Sequence, residues 1–276
     1  MHVQTLVENT SHLAGLQGEH GLSLYIETGR HKILFDTGAS ALFAKNAAAM
    51  GIDLSSIDLA VLSHGHYDHG GGLATFLELN HTAPVYLQEE ALGAHYSKTP
   101  AGYSFIGLDS SLKGRLRLIP VHEHLRIDEN LKLFSHVHGP HSRPDSNQNL
   151  YIRNENTYHP DPFIHEQNLA LTEGNCRVLL AGCAHCGILN ILREYKRLFG
   201  GCPDYVIGGF HLTSPRTGRC AKLSMIKELA KTLKETPTVY YTCHCTGLEV
   251  YQILKEQMGE QIQYLSTGMF LQLPHT

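Results

Sequence analysis

Short apolar runs with the alternation of strands open the chain. Residues 3–7, 22–27 and 32–35 are β-branched or alternate apolar with polar positions, the period of two that half-buried strands require. An alanine-rich stretch, 39–50, follows and reads as a helix with Gly51 as its stop. Residues 59–63 form an apolar strand, 73–79 a helix-like segment and 84–87 another short strand. From 97 to 167 the pattern loosens. Only 115–119 and 131–135 look strand-like, and 139–167 is a long polar run carrying Pro140, Pro144, Pro160 and Pro162. A polar segment of this length inside a compact domain is either functional or disordered. The expectation is one domain over 1–276, in which 97–167 is an inserted loop region covering an active site.

Order returns at Leu169. Residues 176–181 form an apolar strand, and 188–199 a helix with apolar positions at 188, 191, 192, 195 and 199. Strand 206–210 leads to an amphipathic helix, 223–233. Its Met225, Ile226, Leu229 and Leu233 share one face, and lysines 222, 227, 231 and 234 read as a solvated face. Strand 239–242, helix 248–258 and strand 269–273 close the chain. Strands followed by helices in both halves predict an α/β fold.

Composition narrows the class. The chain has 276 residues, a net charge of -4 and 42% hydrophobic residues. That charge disfavours a nucleic-acid binder, which carries a basic excess. No apolar run is long enough for a membrane span, and residues 1–10 lack the basic-then-apolar pattern of an export signal. Seven cysteines without a spaced framework fit a reduced, cytoplasmic protein.

Histidine is the excess residue, with 20 copies. The stretch Ser63-His64-Gly65-His66-Tyr67-Asp68-His69-Gly70-Gly71-Gly72 sets three imidazoles and one carboxylate in six positions. These are the donors that zinc and its neighbours prefer. Alternate residues of an extended segment point the same way. His64 and His66 therefore reach one point, and Asp68 and His69, past a turn, reach a second. Three more histidines, His185, His211 and His244, each stand just after an apolar strand, where α/β folds place ligands. The run His136-x-His138-Gly139-Pro140-His141 reads as a polar loop. Cys183 and Cys186 read as buried thiols at a strand end, and Cys243 and Cys245 are expected to point away from His244.

With these residues in place, the sequence resembles the metallo-β-lactamase superfamily over essentially its whole length. The resemblance rests on Asp36 after the third strand, on His64-x-His66-x-Asp68-His69, and on His185 and His244. Within the superfamily the sequence is most similar to the branch holding the dihydropterin synthase-like proteins of the methanopterin pathway. The matching segments are Leu34-Phe35-Asp36-Thr37-Gly38, Leu62 to Gly72, Phe163-x-His165-Glu166, Gly182-Cys183-Ala184-His185, Gly208-Gly209-Phe210-His211-Leu212 and His244-Cys245-Thr246-Gly247. The resemblance implies an αββα sandwich of two mixed sheets flanked by helices. It implies two divalent ions, zinc first, with manganese or iron as alternatives. His64, His66 and His185 would hold one ion, and Asp68, His69 and His244 the other. Asp36 would orient the histidine loop. Most dinuclear members carry a bridging aspartate after the strand that follows the His185 position. Here that region is Gly208-Gly209-Phe210-His211, so His211 is expected as a terminal ligand or a substrate contact. His165 and Glu166 are expected to anchor the cover segment or to contact substrate.

The expected activity is a metal-dependent hydrolase acting on a small anionic ester or phosphodiester-type metabolite through metal-bound hydroxide. Asp68 would serve as ligand and proton acceptor, and His211 would contribute to catalysis. One alternative is a synthase joining a dihydropterin to a phosphorylated aminobenzene riboside. Another is a metal-binding or metal-sensing protein without turnover. Cleavage of β-lactams is not expected of a chain without an export signal.

Overall fold

The computed structural model describes residues 1–274. Two seven-stranded mixed sheets pack face to face. The first runs, in spatial order, Phe270–Gln272, His2–Val7, Ser23–Glu27, Lys32–Phe35, Leu59–Val61, Val85–Gln88 and Leu118–Val121. The second runs Ile262–Tyr264, Val239–Thr242, Tyr205–Gly208, Cys176–Leu180, Gln167–Glu173, Leu131–Ser135 and His124–Arg126. Leu24, Ile26, Ile33 and Val61 of the first sheet meet Leu133, Leu169, Val178 and Ile207 of the second in one buried cluster. Strands buried on both faces read as continuous apolar runs, which is how several of them appear in the sequence.

Helices cover the outer faces. Leu42–Ala49 and Leu73–Leu79 bury Phe43, Ala47 and Phe76 against Leu34, Ala60 and Val85. Ile188–Phe199, Leu223–Lys234 and Leu248–Met258 bury Ile191, Ile226 and Leu254 against Leu179, Val206 and Tyr240. Helix 188–199 ends on Gly200, left-handed at φ 74°, whose N–H donates to the Lys196 carbonyl, the usual glycine termination. The order helix, sheet, sheet, helix is the expected αββα sandwich.

Region 97–167 differs from the loose cover read in the sequence. Leu118–Val121 and Leu131–Ser135 are integral to the two main sheets. Four further strands, Thr157–Pro160, Leu150–Asn154, His95–Thr99 and Gly102–Phe105, pair into a small third sheet. Apart from the buried His95, Tyr96 and Ser97, their residues are half-exposed or exposed and include Tyr, Ser and Lys, so no apolar alternation announces them. Strand Gln167–Glu173 escaped for another reason. It opens on polar residues, Gln167 and Asn168, that are nevertheless buried. Gln167 Nε2 donates to the Leu62 and Tyr86 carbonyls and ties the two sheets together.

Parallel pairing puts several strand ends on one edge. Lys32–Phe35 pairs in parallel with Leu59–Val61, and Cys176–Leu180 with Tyr205–Gly208 and then Val239–Thr242. Asp36, the histidine loop, Cys183–His185, His211 and His244 all leave from those carboxyl ends.

Candidate metal centre

Backbone strain marks this edge. Asp36, Ala184, His211 and His244 each adopt a left-handed φ, at 59°, 53°, 48° and 49°. Non-glycine residues there cost on the order of 1–3 kcal/mol each and gather at functional sites. Each turns the chain sharply just past a strand and brings a side chain over the sheet edge. The histidine loop also needs its glycines, as Gly65 illustrates. A Cβ on Gly65 would stand 2.2 Å from the Ala91 carbonyl oxygen.

The hydrogen bonds fix which ring nitrogens carry protons. Asp36 accepts from the Ser63 N–H at 2.7 Å, from Ser63 Oγ at 2.7 Å and from His69 Nδ1 at 2.6 Å. Because Ser63 gives its proton to that carboxylate, its Oγ accepts from His64 Nδ1 at 2.9 Å. Asn147 Nδ2 donates to the His185 carbonyl, which turns its Oδ1 to accept from His185 Nδ1 at 2.9 Å. Asn9 Oδ1 likewise accepts from His244 Nδ1 at 2.8 Å, while Glu8 takes the His244 N–H. In all four rings Nδ1 is spent as a donor, which leaves Nε2 to face inward.

These Nε2 atoms converge in pairs. His64 Nε2 is 3.3 Å from His185 Nε2, and His69 Nε2 is 3.2 Å from His244 Nε2. Asp68 Oδ2 joins the second pair, 3.3 Å from His244 Nε2 and 3.9 Å from His69 Nε2. His66 packs edge-on to His64 and His185, with ring centroids 4.6 and 5.0 Å away. Its buried Nε2 has no hydrogen-bond partner among the described residues. His211 packs at a tilt against His185 with ring centroids 4.2 Å apart, and neither of its ring nitrogens has such a partner. Buried polar atoms are normally satisfied, so orphaned imidazole nitrogens beside facing lone pairs fit a cation held between them.

Electrostatics agrees. Burial and the neighbouring imidazoles hold His64 and His185 well below the usual histidine range. Burial and His165 do the same for His66. These three are neutral rings, the form that binds metals. Burial alone would lower His69, but the Asp36 and Asp68 carboxylates push it up to about 9. Burial alone would raise Asp68, but His69, His20 and His244 hold its carboxyl well below the usual range. The second position already favours positive charge.

All the residues expected from the sequence lie at this edge, in unequal roles. His64, His66, Asp68, His69, His185, His211 and His244 come together. Asp36 lies behind them as the anchor of Ser63 and His69. His165 and Glu166 do not line the cavity. His165 Nδ1 accepts from the Gly65 N–H, and Glu166 accepts from the His185 and Cys186 N–H groups. They brace the two ligand-bearing turns. Residues 136–141 contribute to no group of three metal donors among the described residues.

Sequence reasoning missed several donors: His95 and Asp161, which gather with His66 and His165 within 4.8 Å, and His20, Cys183 and Cys245. His20 Nε2 bonds Asp68 Oδ2 at 3.2 Å. It sits in a connection without periodicity, so only its polarity stood out. Cys183 Sγ lies 3.1 Å from His69 Nε2. Cys245 does not point away as expected. Its Sγ accepts from the His211 N–H, whereas Cys243 is the thiol that enters the core. The turn Asp145–Asn149 clamps this edge from above: Ser146 Oγ donates to the His211 carbonyl, as Asn147 does to His185.

The donors open into a cavity of about 400 Å³. His20, Asp68, His211 and His244 line it together with Ser97, Asn149 and Leu150 of the small sheet and its approach. Among the described residues, Arg216 is the one Lys or Arg on its wall.

Fold and site together describe an αββα sandwich with metal-donor side chains gathered on one edge, and comparison with known proteins identifies the family. A profile of the metallo-beta-lactamase superfamily matches residues 16–195; the chain belongs to that superfamily. It is 30% identical to Tm1679, whose crystal structure is described as that of a metal-dependent hydrolase of the beta-lactamase superfamily. The TM-score is 0.83, with 99% of each chain covered. It is 27% identical to the 7,8-dihydropterin-6-methyl-4-(beta-D-ribofuranosyl)-aminobenzene-5'-phosphate synthase of Methanocaldococcus jannaschii, over 92% of this chain and 90% of that one. Zn(2+)-bound PqqB from Methylobacterium extorquens shares the fold at 13% identity and TM-score 0.55, covering 99% of this chain and all of that one.

Proposed function

We propose that the protein is a metal-dependent hydrolase of small anionic esters or phosphodiester-type metabolites. The observation that carries this reading is the pair of inward-facing Nε2 couples, with Asp68, opening into a cavity that also presents Arg216. His64, His66 and His185 would hold one divalent ion, and Asp68, His69 and His244 a second. A zinc ion held there supplies Lewis acidity and lowers the pKa of water from about 15.7 to about 7. The protein's own residues do the rest. Asp36 and Ser63 lock His64 and His69 in one tautomer. Arg216, whose guanidinium matches phosphate or carboxylate oxygens two at a time, orients the anionic substrate. His20 Nε2, hydrogen-bonded to Asp68 and lining the cavity, is placed to pass a proton to the departing oxygen. The Asp145–Asn149 turn limits access of bulk water. A cytoplasmic location belongs to this reading and is supported by seven free thiols.

The relative of 27% identity favours a second reading, condensation of a dihydropterin with a phosphorylated aminobenzene riboside. Arg216 would there hold the phosphate. One experiment separates them. Zinc- and manganese-loaded protein is given a panel of phosphodiesters and phosphate esters, and in parallel the two condensation partners. Ester cleavage that disappears with chelator supports the hydrolase. A joined pterin product without ester cleavage overturns it in favour of the synthase.

A further inference from the structure

The imidazole couples do not use every donor at this edge. Behind them, Cys183, His211 and Cys245 bring two sulfurs and one ring nitrogen within 4.8 Å of one another, all three residues buried. Each comes from a different strand end: Cys183 after Cys176–Leu180, His211 after Tyr205–Gly208, Cys245 after Val239–Thr242. Three independent turns, two of them through left-handed residues beside these side chains, deliver one soft donor each to the same point. The two sulfurs have contacts, Cys183 Sγ with His69 Nε2 and Cys245 Sγ with the His211 N–H. Neither ring nitrogen of His211, by contrast, has a hydrogen-bond partner among the described residues, although the residue is only 5% exposed. All seven cysteines are free thiols, so Cys183 and Cys245 are not joined.

We propose that Cys183, His211 and Cys245 form a metal position of their own, for a soft divalent ion such as zinc, set against the imidazole couples. The inference rests on the reading of this edge as a metal centre and extends it. Two thiolates and one imidazole are a three-donor set that leaves zinc an open coordination position. Each thiol would give its proton to solvent on binding. Cys183 is the common corner, because its sulfur also lies within 4.8 Å of the donor nitrogens of His64 and His185 and of those of His69 and His244. A thiolate there can serve two neighbouring ions at once. The position also accounts for the strand end Gly208-Gly209-Phe210-His211, which offers no carboxylate between the couples. The link between neighbouring ions comes from the Cys183 sulfur instead, and His211 turns to the thiol side.

The test uses full-length, tag-free protein, stripped with chelator under reductant and reloaded with zinc or cobalt(II). Zinc-edge X-ray absorption of the wild type should show a sulfur shell at about 2.3 Å beside nitrogen and oxygen. Cobalt should give near-ultraviolet thiolate charge-transfer absorption. Cys245→Ser, which leaves the four imidazoles of the couples and Cys183 in place, should lose one metal equivalent per chain and about half the sulfur signal, while metal bound through nitrogen and oxygen remains. Cys202→Ser, a half-buried thiol outside the set, should match the wild type. Metal bound with no sulfur shell, or a sulfur signal unchanged in Cys245→Ser, would overturn the soft position and leave the imidazole reading intact. A Cys183–Cys245 disulfide that persists until reduced, with no thiolate-bound metal afterwards, would also overturn it. Failure of the wild type to retain any metal would remove both. The wild-type spectrum decides even if a variant does not fold.

Discussion

His64 Nε2 and His185 Nε2 lie 3.3 Å apart, and with each Nδ1 donating to its own partner both turn a lone pair to the gap. His64 spends its Nδ1 proton on Ser63 and His185 on Asn147. Both rings are held neutral by burial and by each other's neighbours. Two lone pairs facing across that gap repel unless a cation lies between them. Asn147 is therefore a lever on metal binding from outside the donor set. Asn147→Ala should weaken zinc affinity about 10–100-fold, as loss of an orienting partner does, with little change in thermal stability. Zinc titration by calorimetry measures it.

Asp36 carries more of the framework. Its carboxylate is fully enclosed, bonds His69 at 2.6 Å and fixes the start of the histidine loop. Removing one partner of a buried charged pair costs about 3–5 kcal/mol. Asp36→Asn should lower the stability of metal-free protein by that order in urea unfolding, and zinc should restore only part of it.

His69 gives a pH dependence with a definite sign. Its imidazole is pushed up to about 9 in the metal-free protein, so below that pH it holds a proton that a metal must displace. Zinc binding should release that proton. Apparent affinity should rise by up to about tenfold per pH unit toward pH 9 and then level. Calorimetry in buffers of different ionisation heat reads the proton directly. An affinity independent of pH from 6 to 9 would contradict the assignment.

These features were unevenly legible in the sequence. The histidine loop was plain because His64, His66, Asp68 and His69 lie within one turn of chain. His185, His211 and His244 were legible because each follows an apolar strand that a parallel sheet delivers to one edge. Partners assembled from distant chain were not. Asn9 and Asn147 are single polar residues in connections, and nothing in their neighbourhood shows that they orient His244 and His185. Cys183 and Cys245 read as core thiols because alternation along a strand places side chains well only while the strand continues. Both lie past its end, where left-handed turns reset the direction. Cys243, two residues before Cys245 and directly after Thr242, still follows the alternation and enters the core. The small sheet was missed because three of its strands are half-exposed or exposed along their length and the fourth buries the consecutive residues His95, Tyr96 and Ser97, so none alternates apolar with polar.

Gly208 tests the geometry of the strand ends apart from any ligand. Its φ is 148°, and a Cβ there would lie 1.8 Å from the Ala181 carbonyl oxygen. Backbone cannot yield as a flexible side chain can, so Gly208→Ala should push apart the turns bearing Cys183 and His211. A loss of about 2–3 kcal/mol in stability, together with weakened metal retention, is the expected result in thermal unfolding and elemental analysis.

Arg216 tests the substrate side. It lines the cavity without belonging to any donor group. Arg216→Ala should raise KM for anionic substrates about tenfold or more, with a smaller effect on kcat and none on metal content. That split marks lost ground-state binding. An equal KM for wild type and variant would remove Arg216 from substrate recognition.

The most direct measurement is metal content per chain, by elemental analysis of tag-free protein after zinc reconstitution and removal of loose metal. Wild type should retain at least two ions, and the double variant His64→Ala with His185→Ala should lose at least one of them while remaining folded. Fewer than one ion on the wild type, or the same content in both proteins, would contradict a metal centre built on the facing imidazoles.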